Sequence, residues 1–254
     1  MSRRDQYLDA LGIDQWRARR PALSATAAPA PALAPAPAAR AVPAVPAAVA
    51  DPALRAPAAN EAKWQSLREE VSACTRCELS GTRTQTVFGV GNTRAELLVI
   101  GEAPGADEDR QGEPFVGRAG QLLNSMLRAM GHPRETVYIA NVLKCRPPGN
   151  RDPKPEESAS CRPFLQRQLE LLRPRLILAV GRIAAQNLLE TDTPIGRLRG
   201  QVHRFGAQAI PLIVTYHPAY LLRSPGEKRK AWVDLKFVRH ELARLREQPL
   251  AVAG

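Results

Sequence analysis

From Glu61 onward, short continuous apolar runs alternate with stretches whose apolar residues recur every three or four positions. Leu97 to Ile100, Val137 to Ala140, Leu176 to Val180 and Ile210 to Thr215 read as strands buried on both faces, as the strands of a parallel sheet are. Between and around them lie helical patterns. Trp64, Leu67 and Val71 share one face of a helix running into Cys74, and Leu122, Leu123, Met126, Leu127 and Met130 repeat at helical spacing. Pro155 to Leu172, Ile183 to Leu189 and Lys228 to Arg244 complete the set. Strands separated by helices predict an α/β fold of three layers, α/β/α, around a central, mostly parallel four-stranded sheet. Ligand sites of such sheets lie at the carboxyl ends of strands. The loops after Ile100, Ala140 and Thr215 are therefore the ones to read.

The pattern is absent before Glu61. Residues 21–59 hold 19 alanines and 9 prolines and almost no large apolar side chain, so residues 21–60 read as a semi-stiff linker without a core. Ahead of it, residues 1–20 can form a short amphipathic helix with Tyr7, Leu8, Leu11 and Trp16 near one face. A piece of that length does not fold stably alone. It reads either as a docking peptide for a protein partner or as a segment that packs back on the main domain. Residues 61–247 form the expected domain, and 248–254 a tail.

Lys plus Arg exceed Asp plus Glu by 11 over the chain, and residues 61–254 carry +8 of that excess. A basic folded domain favours a polyanionic partner such as nucleic acid; an Arg-rich composition with no particular partner is the plainer alternative. No apolar stretch approaches the length of a membrane span.

The loop after Ile100 reads G-E-A-P-G-A-D-E-D-R-Q-G-E-P-F-V-G-R-A-G, from Gly101 to Gly120. Glycines such as Gly105 allow close backbone approach to a ligand, and a helix beginning near Arg118 aims its amides at the loop. It is neither a Walker loop nor a dinucleotide fingerprint. Glu102 directly after a strand-ending glycine is a poor place for an idle carboxylate. The second loop supplies Asn141 and the fourth His217, so three strand ends converge. An asparagine donates and accepts in one plane, which matches a nucleobase edge, and Phe115 offers a ring to stack on its face. His132, His203 and His240 have no comparable context.

Cys74, Cys77, Cys145 and Cys161 are the only cysteines. Two residues separate the first pair in C-T-R-C, which lets one turn point both sulfurs at a metal site that the distant pair completes. Disulfides are the alternative, but no charged leader followed by an apolar segment marks an oxidising compartment, so a reduced, cytoplasmic setting is expected. Spacing alone does not separate zinc from iron–sulfur.

G-E-A-P-G with P-F-V-G-R-A-G, then N-V-L-K-C-R-P-P-G-N, then H-P-A-Y-L-L-R, together with the four-cysteine spacing, closely resemble family 4 uracil-DNA glycosylases over about Glu61 to Glu247. The resemblance implies a [4Fe-4S] cluster on the four cysteines and a fold like that of uracil-DNA glycosylases. It implies that uracil-containing DNA, single- or double-stranded, is the substrate, and that the enzyme is a monomer starting base excision repair near the nucleoid of a bacterial-type cell. Carried over by position, Phe115 stacks on uracil, Asn141 bonds its Watson–Crick edge, and His217 donates to O2. Glu102 lies beside the sugar near the attacking water, and Glu108 walls the pocket near C5. The wider superfamily often carries a water-activating aspartate where this chain has Ala103. That departure moves the burden to Glu102, with Glu108 second.

Leu221, four residues past His217, reads as the wedge that fills the space left by an extruded base, or else as ordinary core. Arg223, Lys228, Arg229 and Lys230 come next and are suited to phosphates. Two alternatives are a non-catalytic iron–sulfur binder and a zinc module that binds nucleic acid. One relative of the family traps DNA through a histidine in an added basic loop, but the region from Cys145 to Glu156 contains none.

Overall fold

The structure, a computed structural model, describes residues 56–247. Alternate residues of each buried run go to opposite faces of one sheet, and this sorts the core into two halves. Leu98, Ile100, Tyr138, Ala140, Ile177, Ala179, Leu212 and Val214 enter one cluster, while Leu97, Val99, Ile139, Leu176, Leu178, Val180 and Ile213 enter the other.

The four expected strands are β2 (Leu97–Gly101), β3 (Tyr138–Asn141), β4 (Leu176–Val180) and β6 (Ile210–Thr215), and they pair in parallel. The sheet has six strands rather than four. Two short edge strands, β1 (Val90–Gly91) and β5 (His203–Phe205), add antiparallel pairs to give the order β1-β3-β2-β4-β6-β5. Both are too short and too exposed to show as apolar runs. Short antiparallel strands at each border also leave little free edge.

The first half of the core is covered by α1 (Ala56–Ser72), α4 (Pro155–Leu172) and α5 (Arg182–Leu189). On α1, Trp64, Leu67 and Val71 are all buried, as their spacing predicts. The helix begins at Ala56, slightly inside the stretch read as linker. The second half is covered by α3 (Arg118–Ala129) and α8 (Lys228–Glu247), with short α2 (Ala106–Gln111), α6 (Ile195–Leu198) and α7 (Pro218–Arg223) in the connections. Residues 1–20, most of the expected linker and the tail lie outside the described residues. No helix among the described residues is long and apolar enough to cross a membrane.

Because β2, β3, β4 and β6 run in parallel, Gly101, Asn141, Val180 and Thr215 end at one edge of the sheet. The residues just beyond them line a common cleft.

Candidate active site

The cleft at this carboxyl edge has a volume of about 760 Å³, within the range of sites that enclose a small ligand. Glu102, Ala103, Gly105, Glu108, Phe115, Asn141, His217 and Arg223 all line it, so three separate loops bring the expected residues together. Asn150, Asp152, Arg182 and Tyr216 line it as well and were not anticipated.

Phe115 sits over Gly101 in a conformation that needs support. Its φ is 56°, the left-handed region that bulky residues avoid. The surroundings hold it from both sides. Arg134 donates to the carbonyl oxygens of Pro114 at 2.6 Å and Phe115 at 3.4 Å. The Glu108 carboxylate accepts the backbone N–H groups of Val116 at 3.0 Å, Gly117 at 3.2 Å and Gly105 at 3.1 Å. Helix α3 approaches so closely that a Cβ at Gly120 would stand 1.8 Å from the Phe115 carbonyl oxygen. A Cβ at Gly101 would meet the Phe115 ring at 2.6 Å and Asn141 Oδ1 at 2.4 Å. Glycine at 101 is therefore what lets ring and amide share one small space. Glu108 lines the cleft, but its oxygens are engaged by three amides, so it shapes the loop and is badly placed to activate water.

Asn141 is 2% exposed, and its Oδ1 has no hydrogen-bond partner within the protein. Leaving such an atom unpaired costs about 1–3 kcal/mol. A ligand that presents an N–H to Oδ1 and a carbonyl to Nδ2 recovers that energy.

His217 caps α7, its Nδ1 accepting the Ala219 amide hydrogen at 3.2 Å. The neutral ring must then carry its proton on Nε2. Burial first, and then the Arg223 charge, hold His217 down at about 4, so it remains neutral at ordinary pH. The side chain is thus a fixed neutral N–H donor, 5.7 Å between centroids from the Phe115 ring.

Glu102 behaves in the opposite way. Burial, with the Asp152 charge second and against the pull of Arg182, raises its carboxyl from 4.5 to about 7. Asp152 and Arg182 form an ion pair at 2.7 Å. A carboxylate poised near neutrality has the acidity expected of a catalytic base. No local pattern along the chain marks this pair, since one member lies in a Pro-rich loop and the other opens α5.

Leu221 is not a projecting wedge. It is 1% exposed within the second core cluster, because α7 turns that face onto α3 and the sheet. Leu222, next in sequence, is the exposed leucine of this helix, at 36%.

Cys74, Cys77, Cys145 and Cys161, none in a disulfide, line one small cavity with Arg76, Arg83 and Lys144 beside them and no carboxylate in its lining. Arg83 donates to Cys145 Sγ at 3.0 Å, and the Lys144 amide donates to Cys161 Sγ at 3.3 Å. Such donors and cations suit a set of thiolates carrying net negative charge. Among the described residues, no three candidate ligands are placed to hold one metal ion. A zinc ion needs four sulfurs about 2.3 Å from a single point, whereas a cluster binds each thiolate to a separate iron. Four sulfurs with cations beside them and no carboxylate are a donor set suited to a thiolate-held metal group. Lys144 links this cavity to the cleft: it is 1% exposed, and its Nζ donates to the Asn141 carbonyl at 2.8 Å and to Gln168 Oε1 at 2.6 Å.

Residues 88–236 match the family model of the uracil DNA glycosylase superfamily. A type-4 uracil-DNA glycosylase of Archaeoglobus fulgidus is 49% identical over 176 residues, 66% of this chain and 88% of that protein. A type-4 uracil-DNA glycosylase of Thermotoga maritima is 44% identical, over 65% of this chain and 85% of its own length. A type-5 uracil-DNA glycosylase of Pyrobaculum aerophilum is more distant, at 32% identity over 52% of this chain and 64% of its own length. On this match and these identities, the chain belongs to the type-4 uracil-DNA glycosylases of the uracil DNA glycosylase superfamily.

Proposed function

We propose that the cleft takes a uracil extruded from DNA and hydrolyses its N-glycosidic bond, leaving an abasic site for base excision repair. The observation that carries this reading is the set of three strand-end groups in one cleft: an unpaired buried amide, a neutral histidine donor and a carboxyl raised to about 7. Extrusion costs a few kcal/mol and is unavoidable, because the bond cannot be reached inside a duplex. Leu222, exposed next to Arg223, is available to fill the vacated space, and Arg223 to hold a phosphate.

In the cleft, Phe115 supports the ring face of uracil. Asn141 Oδ1 accepts from N3–H, and its Nδ2 donates to O4. Cytosine presents the reverse pattern on that edge and leaves the amide mismatched. As the bond breaks, negative charge grows on the base and positive charge on the sugar. His217 Nε2–H donates to O2, where the negative charge gathers; one such preorganised donor contributes about 3–4 kcal/mol. Glu102, once ionised, faces the positive sugar and accepts the proton of the attacking water. Burial first, then Asp152 against Arg182, sets the pH at which Glu102 becomes ionised.

Cys74, Cys77, Cys145 and Cys161 would hold the [4Fe-4S] cluster. Hydrolysis moves no electrons, so the chemistry supplied there is cross-linking. Bound there, the cluster would join the turn after α1, the loop after β3 and the middle of α4, and Lys144, held between that cavity and the Asn141 carbonyl, would carry the effect to Asn141.

Incubation with uracil-containing single-stranded DNA, followed by alkali, tests the reaction. Strand scission at the uracil position supports a glycosylase, and intact DNA in a stable complex would support a binder instead. A brown protein with visible thiolate-to-iron absorption supports the cluster; a colourless one holding zinc would refute it.

A further inference from the structure

Leu222, Trp232 and Val233, at 36%, 41% and 54%, are the exposed large apolar side chains among the described residues. They fall in one short stretch. Scattered exposed apolar residues are ordinary, but a cluster containing tryptophan is not. Trp232 and Val233 lie on the outward face of α8 with Lys228, Arg229, Lys236, Arg239 and His240, all exposed. Asp234, the acid among them in sequence, and Glu241, directly after His240, are both buried. A solvated helix face usually mixes both signs of charge. This face carries cations and an aromatic ring with no carboxylate between Lys228 and His240.

Its position ties it to the cleft. Asp234 accepts from Thr215 Oγ1 at 2.7 Å, which brings the first turns of α8 to the carboxyl edge of the sheet. Arg199 bonds Asp234 at 2.7 Å and the Lys230 carbonyl at 2.8 Å, and its guanidinium stacks 4.3 Å from the centroid of Tyr216, a cleft residue. From Lys228 to Arg239 the helix rises about 16 Å, long enough to follow several nucleotides of one strand.

We propose that the outward face of α8 is a second nucleic-acid contact, which holds an unpaired strand flanking the extruded nucleotide. Trp232 stacks on a base of that strand, and Lys228, Arg229, Lys236 and Arg239 bind its phosphates. Stacking needs an open base face, so the contact favours single-stranded DNA next to the lesion. The inference rests on the glycosylase reading for its biological use, but the surface itself is tested without uracil.

The test measures binding of a long thymine-only single strand across a range of salt, for the wild type, Trp232→Ala, Trp232→Phe and Lys236→Ala/Arg239→Ala. Trp232→Ala should bind about fivefold or more weakly, and Trp232→Phe should recover most of that loss. The double variant should reduce the slope of log affinity against log salt by about 1.4. On a uracil substrate, KM should rise for a long strand, with kcat kept, and stay unchanged for a trinucleotide too short to reach α8. Circular dichroism and visible absorption check that each variant is folded and loaded. Equal affinity and salt slope in all four proteins would overturn the proposal and leave the face to a protein partner. Weakened binding in a protein that releases no uracil would uphold the contact and reject the glycosylase reading.

Discussion

Replacing Glu102 by glutamine should cut uracil release and, above neutral pH, make the protein harder to unfold. The folded state holds the Glu102 proton up to about 7, against 4.5 for an ordinary carboxyl. Folding therefore favours the neutral acid. The stabilisation from that preference is fully present below the unfolded value and is lost as pH rises through about 7. The shift of about 2.5 units corresponds to a ceiling of about 3.4 kcal/mol. Cleft water reaches the carboxyl, so screening reduces this to about 1–2 kcal/mol. Glutamine has no proton to lose and keeps the neutral shape. At about pH 8, Glu102→Gln should then melt about 2–8 °C above the wild type, and the gap should shrink towards zero near pH 4.5. Scanning calorimetry of both proteins at the two pH values and one scan rate measures this, with uracil release assayed in parallel. Release should fall by about 100-fold or more. A gap that does not change with pH, or a wild type that is the more stable at about pH 8, would refute the assignment of a strained, buried carboxyl at this position.

Three further outcomes are expected from the same geometry. Asp152→Asn removes a charge that raises Glu102, so the rising limb of kcat/KM, expected near 7 in the wild type, should move to lower pH; an unmoved limb would detach Asp152 from Glu102. Gly101→Ala places a methyl 2.4 Å from Asn141 Oδ1 and 2.6 Å from Phe115, so uracil release should fall sharply with the fold retained by circular dichroism, and normal turnover would show that the ring and amide need not share that space. Lys144→Met strands the Asn141 carbonyl and Gln168 Oε1, each worth about 1–3 kcal/mol when buried and unpaired, so melting temperature should fall and KM should rise; unchanged values of both would remove Lys144 as the link.

The core of this fold is legible because its signals are local. Leu97 to Ile100 and Leu176 to Val180 announce buried strands by composition alone, and Trp64, Leu67 and Val71 announce a helix face by spacing. Glu102, Asn141 and His217 are legible for a topological reason, since parallel strands must deliver the residues at their carboxyl ends to one edge. The rest depends on contacts distant in sequence. Edge strands of two and three residues have no apolar run to read. In Leu221-Leu222 one side chain must face inward and the other outward, and only the packing of α7 decides which. Glu108 looks like a second catalytic carboxylate until Gly105, Val116 and Gly117 are seen donating to it. Asp152 and Arg182 act on Glu102 from separate loops, so their influence on its acidity has no signature along the chain.

If the geometry is read rightly, this cleft breaks the bond between uracil and deoxyribose and chooses uracil through Asn141. The sharpest measurement is the free base released from otherwise identical single strands carrying uracil or cytosine, by the wild type and by Asn141→Asp. The wild type should release uracil and leave cytosine in place, and Asn141→Asp should lose much of that selectivity. Unaltered selectivity in Asn141→Asp, or binding of uracil-DNA by the wild type with no free base formed, would overturn this reading.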